Sequence, residues 1–379
     1  MLKMGIIGCG NRITHVAKMV QKVSKGEAVI SCVCDIDIEK VKRENLKEEE
    51  YKDVKYYTDA DEMLKNEKID GVLIGTRCSL HTKFALLVAK YDLPLFLEKP
   101  VCTTYDDLEK LKTIPHMEDK TVVSFPLRTS KMLAFVKELI DSGKIGKVEH
   151  VQAYNNVTYA RGYYHKWYRD ENETGGLFLQ KATHDLDYIN YILGEKPVRL
   201  CAMKSKQIFK GDKPAGLKCA DCPDAKTCPE SPENVLAAGD NMPKGEYCCF
   251  AVDTGNEDSG SVIIEYESGM HVVYSQDFIV RNSAKKRGAR FIGYKGTVEF
   301  DWHSEAIILY RHDVDVVESY KFPNDKGAHF GGDEGLAKSF VAVMKGEAKS
   351  CAPLSQGIDS AALCLAARTS STEYRFVEL

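Results

Sequence analysis

Hydrophobic residues along the first 125 positions change their spacing in a regular alternation. Continuous apolar runs of strand length, such as residues 28–34 and 71–75, are followed by segments in which apolar residues recur at helical spacing. Strands of a parallel sheet are buried on both faces, whereas the helices that cover such a sheet are apolar on one face only. The alternation therefore predicts an α/β fold with a doubly wound parallel sheet over residues 1–125.

The pattern changes after residue 125. Segments such as 147–154 and 261–266 alternate apolar and polar residues, as strands with one solvated face do. We expect residues 126–379 to form a second α/β domain built on an open-faced, largely antiparallel sheet. Within it, residues 210–250 are rich in Pro, Gly, Asp and Lys, which indicates a long excursion between strands.

Composition and charge exclude several classes of partner. The 379 residues carry a net charge of −4 with both signs mixed along the chain, which argues against a nucleic-acid partner. No apolar run approaches the ~20 residues needed to span a bilayer. The N-terminus leads directly into a predicted strand and lacks the layout of a signal peptide. We therefore expect a cytoplasmic protein that does not bind membranes.

A glycine-rich turn joins the first predicted strand to the first predicted helix. Gly8 and Gly10 would let the backbone approach a pyrophosphate, whose charge the helix N-terminus favours. The dinucleotide fingerprint is incomplete, because Ile13 occupies its third small position. The alternative interpretation is a tight turn that binds no ligand.

An acidic residue at the end of the second predicted strand favours the cofactor interpretation. Asp35 stands where an acid can bind both ribose hydroxyls of an adenosine and repel a 2′-phosphate. Two nearby cations, Arg12 and Lys40, weaken the discrimination. The sequence thus predicts a dinucleotide cofactor, with NAD favoured over NADP.

A lysine follows the apolar run 95–97, at the sheet edge where doubly wound folds bind ligands. Alone, Lys99 could be a surface lysine before a proline. Together with the glycine turn, however, Glu98-Lys99-Pro100 resembles the signature triplet of the Gfo/Idh/MocA oxidoreductase family. Gly8-Cys9-Gly10-Asn11-Arg12 resembles that family's dinucleotide turn, the segment from Thr76 to His81 its loop after the fourth strand, and 175–187 its active-site helix.

The resemblance implies a Rossmann domain, an open-faced α/β domain and an active site where the two meet. It also implies a small carbohydrate substrate and a homo-oligomer, a dimer or tetramer, formed through the open sheet face. The residues implied to bind the cofactor are Gly8, Gly10, Asn11, Arg12, Asp35, Thr76, His81 and Glu98.

The family's chemistry implies hydride transfer between nicotinamide and a secondary alcohol or carbonyl of a sugar, sugar derivative or polyol. Lys99 would exchange the hydroxyl proton, since partial burial and a cationic nicotinamide both lower the pKa of a lysine. His184 would share this role. Gln180 stands where polyol-oxidising members usually carry Asp, and an amide can bind a hydroxyl but cannot take its proton.

Two other function classes stay open at this point. One is an NAD-dependent glycosidase or epimerase that oxidises its sugar only transiently, and the other is a non-enzymatic NAD-binding sensor. The residues further implied to contact substrate are Trp167, Arg169, Lys181, Asp185 and His329. Core packing would equally explain Trp167, and a helix cap would equally explain the turn from His329 to Asp333.

Thirteen cysteines, an odd number without a signal peptide, argue against a disulfide framework. Cys219-x-x-Cys222 has the spacing that lets two thiolates bind one metal ion. With Cys228 and either Cys248 or Cys249, the segment would form a structural four-thiolate zinc site. The alternative is a set of reduced thiols packed in a loop.

Overall fold

The computed structural model describes residues 1–47, 49–158, 162–238, 246–323 and 328–379. The chain forms two compact units, and each unit draws on several separate stretches of sequence. The first unit comprises Met1–Ala134, Leu186–Tyr191 and Asn324–Leu363. The second unit comprises Phe135–Asp185, Ile192–Pro323 and Cys364–Leu379.

A six-stranded sheet forms the centre of the first unit. Its strands are β1 (Leu2–Ile7), β2 (Ala28–Cys34), β3 (Lys55–Tyr57), β4 (Gly71–Ile74), β5 (Leu95–Leu97) and β6 (Thr121–Val123). They lie in the order β3-β2-β1-β4-β5-β6, and all neighbours are parallel. The predicted doubly wound parallel sheet is confirmed. Strand order reverses between β1 and β4, where such sheets bind ligands at their carboxyl edge.

Both units contain helices, numbered in chain order. They are α1 (Asn11–Val23), α2 (Ile38–Lys40), α3 (Ala60–Asn66), α4 (His81–Ala89), α5 (Tyr105–Leu111), α6 (Lys131–Asp141), α7 (Gly162–His165), α8 (Glu171–Thr174), α9 (Thr183–Leu193), α10 (Pro232–Ala237), α11 (Gly332–Met344) and α12 (Leu354–Glu373). None of those in the described ranges is long and apolar enough to cross a membrane.

Helix α11 returns late in the chain to complete the core of the first unit. Phe340 packs edge-on against Phe96 of β5, with 5.7 Å between ring centroids. Met344 lies over Gly71, where an added Cβ would approach its sulfur to 2.7 Å. The buried cluster around β1 and β2 includes both Phe340 and Met344. The first unit therefore includes sequence well beyond residue 125.

A nine-stranded sheet forms the centre of the second unit. Its strands are β7 (Val148–Asn156), β8 (Pro197–Ser205), β9 (Ser259–Tyr266), β10 (His271–Asp277), β11 (Lys286–Gly293), β12 (Gly296–Asp301), β13 (Ala306–Arg311), β14 (Val316–Lys321) and β15 (Val377–Glu378). Their order is β14-β13-β12-β11-β7-β10-β9-β8-β15. Only β7 and β10 pair in parallel among these neighbours. The predicted largely antiparallel sheet is confirmed.

Alternate residues of the central strands are buried, as the sequence pattern predicts. In β9 and β10 every second side chain is fully covered while its neighbours are partly or largely exposed. The chain between β8 and β9 contains α10 and two isolated bridges, Lys213 to Ala251 and Lys218 to Tyr247. Residues 239–245 of the predicted excursion lie outside the described residues.

Candidate functional site

The two glycines of the first turn differ in backbone conformation and in the space around them. Gly8 has a φ of +78°, and an added Cβ would lie 2.5 Å from the Cγ2 atom of Thr76. Gly10 has a φ of −78° that any residue adopts, and the nearest atom to an added Cβ is the Gly75 carbonyl oxygen, 3.9 Å away. The protein itself therefore does not require a glycine at position 10. A bare backbone there suits a ligand that approaches closely, as a dinucleotide pyrophosphate does.

Helix α1 begins directly after this turn. Gly10 stands at its N-cap and provides no side-chain hydrogen bond. Amide groups in the first turn of a helix, together with the helix dipole, attract an anion such as a phosphate. The Asn11 side chain is fixed by Asn45, whose side-chain nitrogen donates a hydrogen bond to the Asn11 oxygen at 2.9 Å.

Asp35 is fixed beside the glycine turn. One carboxylate oxygen accepts a hydrogen bond from the backbone N–H of Cys9 at 2.7 Å, and the other accepts from that of Asp37 at 2.9 Å. The turn and the end of β2 are thereby joined through one acidic side chain. These contacts and the bare backbone at Gly10 fit an NAD molecule.

Glu98 follows β5 and is fixed on both sides of that strand. Its backbone N–H donates to the Ile74 carbonyl at 3.1 Å. Its Oε1 atom accepts hydrogen bonds from Arg12 Nε at 3.0 Å and from Ser124 Oγ at 2.9 Å. Because Arg12 lies in the first turn of α1 and Ser124 directly follows β6, the Glu98 carboxylate joins the ends of β5 and β6 to the start of α1 at the carboxyl edge of the sheet.

Arg12 also binds Asp333, in the first turn of α11. The guanidinium donates from NH1 to Oδ2 at 3.0 Å and from NH2 to Oδ1 at 2.7 Å. His329 Nδ1 lies 3.1 Å from the same Oδ2 atom. Burial favours the neutral acid, but the hydrogen bonds from His329 and Arg12 outweigh it and hold the pKa of Asp333 well below its usual range. The sequence placed Asp333 in the turn that begins at His329 but did not predict its pairing with Arg12, because nothing local marks the two residues as partners.

His81 joins the loop after β4 to the segment after β5. Its Nδ1 atom lies 2.7 Å from the Pro100 carbonyl oxygen and its Nε2 atom 3.3 Å from that of Thr76. Burial is the main cause that lowers the pKa of His81, so the ring is neutral. A carbonyl can only accept, so the shorter contact places the hydrogen on Nδ1. The half-buried Lys99 lies in the segment that this contact fixes.

The predicted site residues of segment 175–187 lie in and after a π-helical turn. Phe178–Ala182 forms this wider turn and leads directly into α9. Gln180, Lys181 and His184 are all buried, none more than 4% exposed. On an ideal α-helix Gln180 and His184, four positions apart, would share a face, and the π-helical turn changes that angular spacing. Their proposed roles in binding and proton transfer stay predictions.

Asp185 is enclosed by the nine-stranded sheet. Arg287 of β11 donates to its two oxygens, from Nε at 2.8 Å and from NH2 at 3.1 Å. Asn155 of β7 and Tyr274 of β10 donate to Oδ2 at 2.9 and 3.0 Å. The structure therefore shows an anchor between the start of α9 and the sheet, and the expected contact of Asp185 with substrate stays a prediction.

Three other expected substrate residues, Arg169, Trp167 and Lys181, have partners within the second unit, whereas His329 lies in the first unit beside Asp333. Arg169 is buried and donates to Asp253 and Thr254, the latter at 2.8 Å. Trp167 stacks on Tyr168 with 3.8 Å between ring centroids. Lys181 Nζ lies 5.7 Å from the centre of the Tyr163 ring.

The cysteine-rich excursion does not support the zinc prediction. Across the part of the chain that the structure describes, no three His, Cys, Asp or Glu side chains are arranged to hold a metal ion. Burial, and after it the nearby thiols of Cys248, Cys228 and Cys222, raise the pKa of the Cys219 thiol to about 11.

An all-parallel six-stranded sheet with this glycine turn and an acid after β2 defines an NAD-binding protein of the Rossmann class. Residues 2–125 match the oxidoreductase family with an NAD-binding Rossmann fold. Residues 133–299 match the GFO/IDH/MocA C-terminal domain. The chain belongs to the Gfo/Idh/MocA family of oxidoreductases.

Individual relatives agree with this assignment. The chain is 27% identical over 312 residues to a putative oxidoreductase, YteT, of Bacillus subtilis, with 72% of each chain covered. It is 24% identical over 204 residues to myo-inositol 2-dehydrogenase of Thermotoga maritima, covering 52% of this chain and only 56% of that enzyme. The structure of aldose-aldose oxidoreductase from Caulobacter crescentus superposes with a TM-score of 0.73 at 18% identity, covering 100% of this chain and 99% of that one. At that identity the superposition shows the shared fold alone.

Proposed function

We propose that this chain is an NAD-dependent oxidoreductase acting on a secondary alcohol, or the matching carbonyl, of a sugar, sugar derivative or polyol. The supporting observation is the position of Lys99. It directly follows Glu98, whose carboxylate joins Arg12 and Ser124 at the edge of the sheet that carries the glycine turn. The name of one relative, a putative oxidoreductase, supports the class of reaction, and that of another, a myo-inositol 2-dehydrogenase, supports a polyol substrate.

The preference for NAD over NADP rests on Asp35 and Arg12. Asp35 is fixed beside the turn by the Cys9 amide, where a 2′-phosphate would meet its negative charge. Arg12, which the sequence suggested as a cation that could offset this repulsion, is engaged by Glu98 and Asp333. Its guanidinium is therefore held by two carboxylates, one directly after β5 and one in the first turn of α11.

The proton transfer is assigned to the chain's own residues. When bound, NAD supplies the hydride acceptor for alcohol oxidation. The neutral amine of Lys99 accepts the hydroxyl proton as the carbonyl forms, and the ammonium returns it in the reverse reaction. In the second unit, His184 is proposed to share the proton or hold the hydroxyl, and Gln180 to bind a hydroxyl through its amide.

We further propose that a second copy of the chain covers the exposed face of the nine-stranded sheet. Exposed apolar side chains on this sheet support this, among them Met203 on β8 and Ile263 on β9 at 74% and 46% exposure. A cytoplasmic location stays a prediction.

The activity is tested by following NADH formation with polyols, aldoses and amino sugars, for the wild type and Lys99→Met. Methionine keeps most of the length of the lysine but removes its titratable group. Turnover should fall by ~10²–10⁴-fold, the range for losing a positioned acid or base. The NAD Kd should be unchanged, because the glycine turn and Asp35 are untouched.

Lys120→Met provides the matched control. Lys120 precedes β6 at the opposite edge of the same sheet and forms a surface ion pair with Asp92. Its loss should leave turnover near the wild-type value. Normal turnover of Lys99→Met on the true substrate would contradict the proposed site.

Product analysis distinguishes the proposed dehydrogenase from a second candidate function, a glycosidase or epimerase that oxidises its sugar only transiently. Gln180 in place of the aspartate of polyol-oxidising relatives is the feature that favours it. Sugar conversion without net NADH, with catalytic amounts of NAD, would support this alternative. NADH formed in proportion to the product would support the dehydrogenase. Gln180→Asp should be tolerated, or improve polyol oxidation, only in the latter case.

A further inference from the structure

The carboxylate of Asp333 lies at the end of a chain of contacts that runs through Arg12 and Glu98 to the residue beside Lys99. We propose that Asp333 is a positioning residue, which acts through Arg12 to fix the Glu98 carboxylate and thereby the adjoining Lys99. This inference rests on the proposed function and adds a residue to that site. It assigns Asp333 no contact with substrate or cofactor.

The contacts are continuous and have little freedom. Both oxygens of Asp333 accept from the Arg12 guanidinium, and the remaining nitrogen, Nε, donates to Glu98. Arg12 NH2 also lies 3.2 Å from Ser124 Oγ, which itself donates to Glu98. The side chains of Glu98 and Asp333 are only 9% and 4% exposed. A paired Arg–carboxylate contact of this kind fixes orientation as well as charge.

Asp333 neutralises the charge of Arg12, which two other anions also attract: the Glu98 carboxylate and the pyrophosphate of the proposed cofactor. Arg12 lies two residues after Gly10, at the turn proposed to receive the cofactor pyrophosphate. Without the negative charge of Asp333, the guanidinium would be shared only between Glu98 and that pyrophosphate. Attraction between the guanidinium and a phosphate would then draw Arg12 away from Glu98. Glu98 would keep only the hydrogen bond from Ser124.

This argument predicts an effect that a merely structural contact would not produce. Weakening the Asp333–Arg12 pair should lower kcat, while NAD binding is unchanged or becomes tighter. Groups that orient a functional residue typically contribute ~10–100-fold to activity. Once Glu98 is replaced by an uncharged residue, weakening the Asp333–Arg12 pair should lower kcat no further.

The experiment compares Asp333→Asn, Glu98→Gln and the double variant as full-length proteins, with the polyol, aldose or amino sugar that gives the highest rate of NADH formation in the wild type. We expect Asp333→Asn to lower kcat by ~10–100-fold with a smaller change in KM, and to displace the pH profile of kcat. The NAD Kd from calorimetry should not increase. The double variant should lose no more than Glu98→Gln alone, because both changes interrupt one chain of contacts. Asp333→Glu should restore part of the activity.

Glu118→Gln is the matched control. Glu118 precedes β6 and accepts hydrogen bonds from the N–H and hydroxyl of Ser355, so it also ties the late chain to the first unit. It lies at the amino edge of the sheet, away from the strand ends that carry Glu98. Its replacement should lower the Tm and leave kcat unchanged.

Several results would overturn the inference. One is an Asp333→Asn variant that loses thermal stability as Glu118→Gln does but keeps its kcat and pH profile. Another is a kcat loss that adds fully to that of Glu98→Gln. If Asp333→Asn does not fold, Arg12→Lys keeps the cation but cannot bridge both carboxylates, and unchanged kcat there would count against the proposal equally. A wild type inactive on every alcohol would instead contradict the proposed function itself.

Discussion

The side chain of Ile13 packs directly against the bare backbone of Gly75. A Cβ added to Gly75 would lie 2.4 Å from the Cβ of Ile13. In the dinucleotide fingerprint, a small residue at the position of Ile13 allows close packing of helix and strand. In this chain the small residue stands on the other side of the contact, immediately after β4. The incomplete fingerprint therefore still permits a close approach of α1 to the sheet.

This contact predicts that Gly75→Ala is destabilising although alanine is small. The methyl group would overlap the buried side chain of Ile13, and overpacking of this kind typically costs ~1–3 kcal/mol. Urea unfolding of the wild type and the variant measures the difference.

A second substitution tests the cause. In the background of Gly75→Ala, Ile13→Ala removes the atoms that the new methyl group meets. The double variant should be more stable than the sum of the two single losses predicts, because the residues are in contact. Fully additive losses would show that Ile13 is not the source of the overlap.

The two glycines of the turn should fail in different ways when replaced by alanine. Gly8→Ala places a Cβ against Thr76 in a left-handed conformation, so it should cost at least ~1–3 kcal/mol of folding stability. Gly10→Ala meets no protein atom closer than 3.9 Å and should fold normally. It should nevertheless weaken NAD binding by roughly tenfold or more, about 1.4 kcal/mol. Calorimetry and thermal unfolding on both variants separate these outcomes, and unchanged NAD affinity of Gly10→Ala would contradict the pyrophosphate site.

Local patterns predicted the parts of the fold and site that depend on neighbouring residues in the chain. The apolar runs indicated the parallel strands, and the turn at Gly8 and Gly10 lies between β1 and α1 as expected. Asp35 also ends its strand as predicted. In each case a short stretch of sequence contains both the element and the residue it positions.

Contacts between distant stretches could not be predicted in this way. Asp333 is separated from Arg12 by 321 positions, and no periodicity relates them. Asp185 and Arg287 are 102 positions apart, and they form a pair only because the fold of the second unit brings Asp185 to strand β11. The π-helical turn before α9 is likewise not indicated by apolar spacing. These features depend on tertiary packing, which a single sequence pattern does not specify.

The buried pair of Asp185 and Arg287 should be important for stability. Removing one partner of a buried, hydrogen-bonded ion pair typically costs about 3–5 kcal/mol, since the other charge is left without compensation. Asp185→Asn should therefore lower the free energy of unfolding by roughly that amount. Asp141→Asn, which breaks the exposed Lys137–Asp141 pair, serves as the control and should cost well under ~1 kcal/mol. Equal losses in the two variants would contradict the anchoring role of Asp185.

His81 should make stability depend on pH in a defined direction. Burial lowers its pKa in the folded state below the ordinary value of 6.5, whereas in the unfolded chain the ring titrates near 6.5. Between these two values the unfolded state binds more protons, so the free energy of unfolding rises with pH. The stability contributed by the neutral ring is thus fully present above pH 6.5 and is lost as the pH falls below it. One such group gives a slope of at most about 1.4 kcal/mol per pH unit.

Comparing the wild type with His81→Gln isolates this contribution, because His303 has a pKa lowered by burial in the same direction and is present in both proteins. Urea unfolding at about pH 7.5 and about pH 5.5, on either side of the ordinary histidine pKa, should show a smaller loss on acidification for His81→Gln than for the wild type. At the higher pH the variant should be less stable, since glutamine reproduces the contacts to Thr76 and Pro100 only in part. His116→Gln, at an exposed position of the same unit, should keep the wild-type difference between the two pH values. If the pH dependence of His81→Gln equals that of the wild type, the ring of His81 does not change its protonation on unfolding, and the neutral, carbonyl-bonded state assigned to it is wrong.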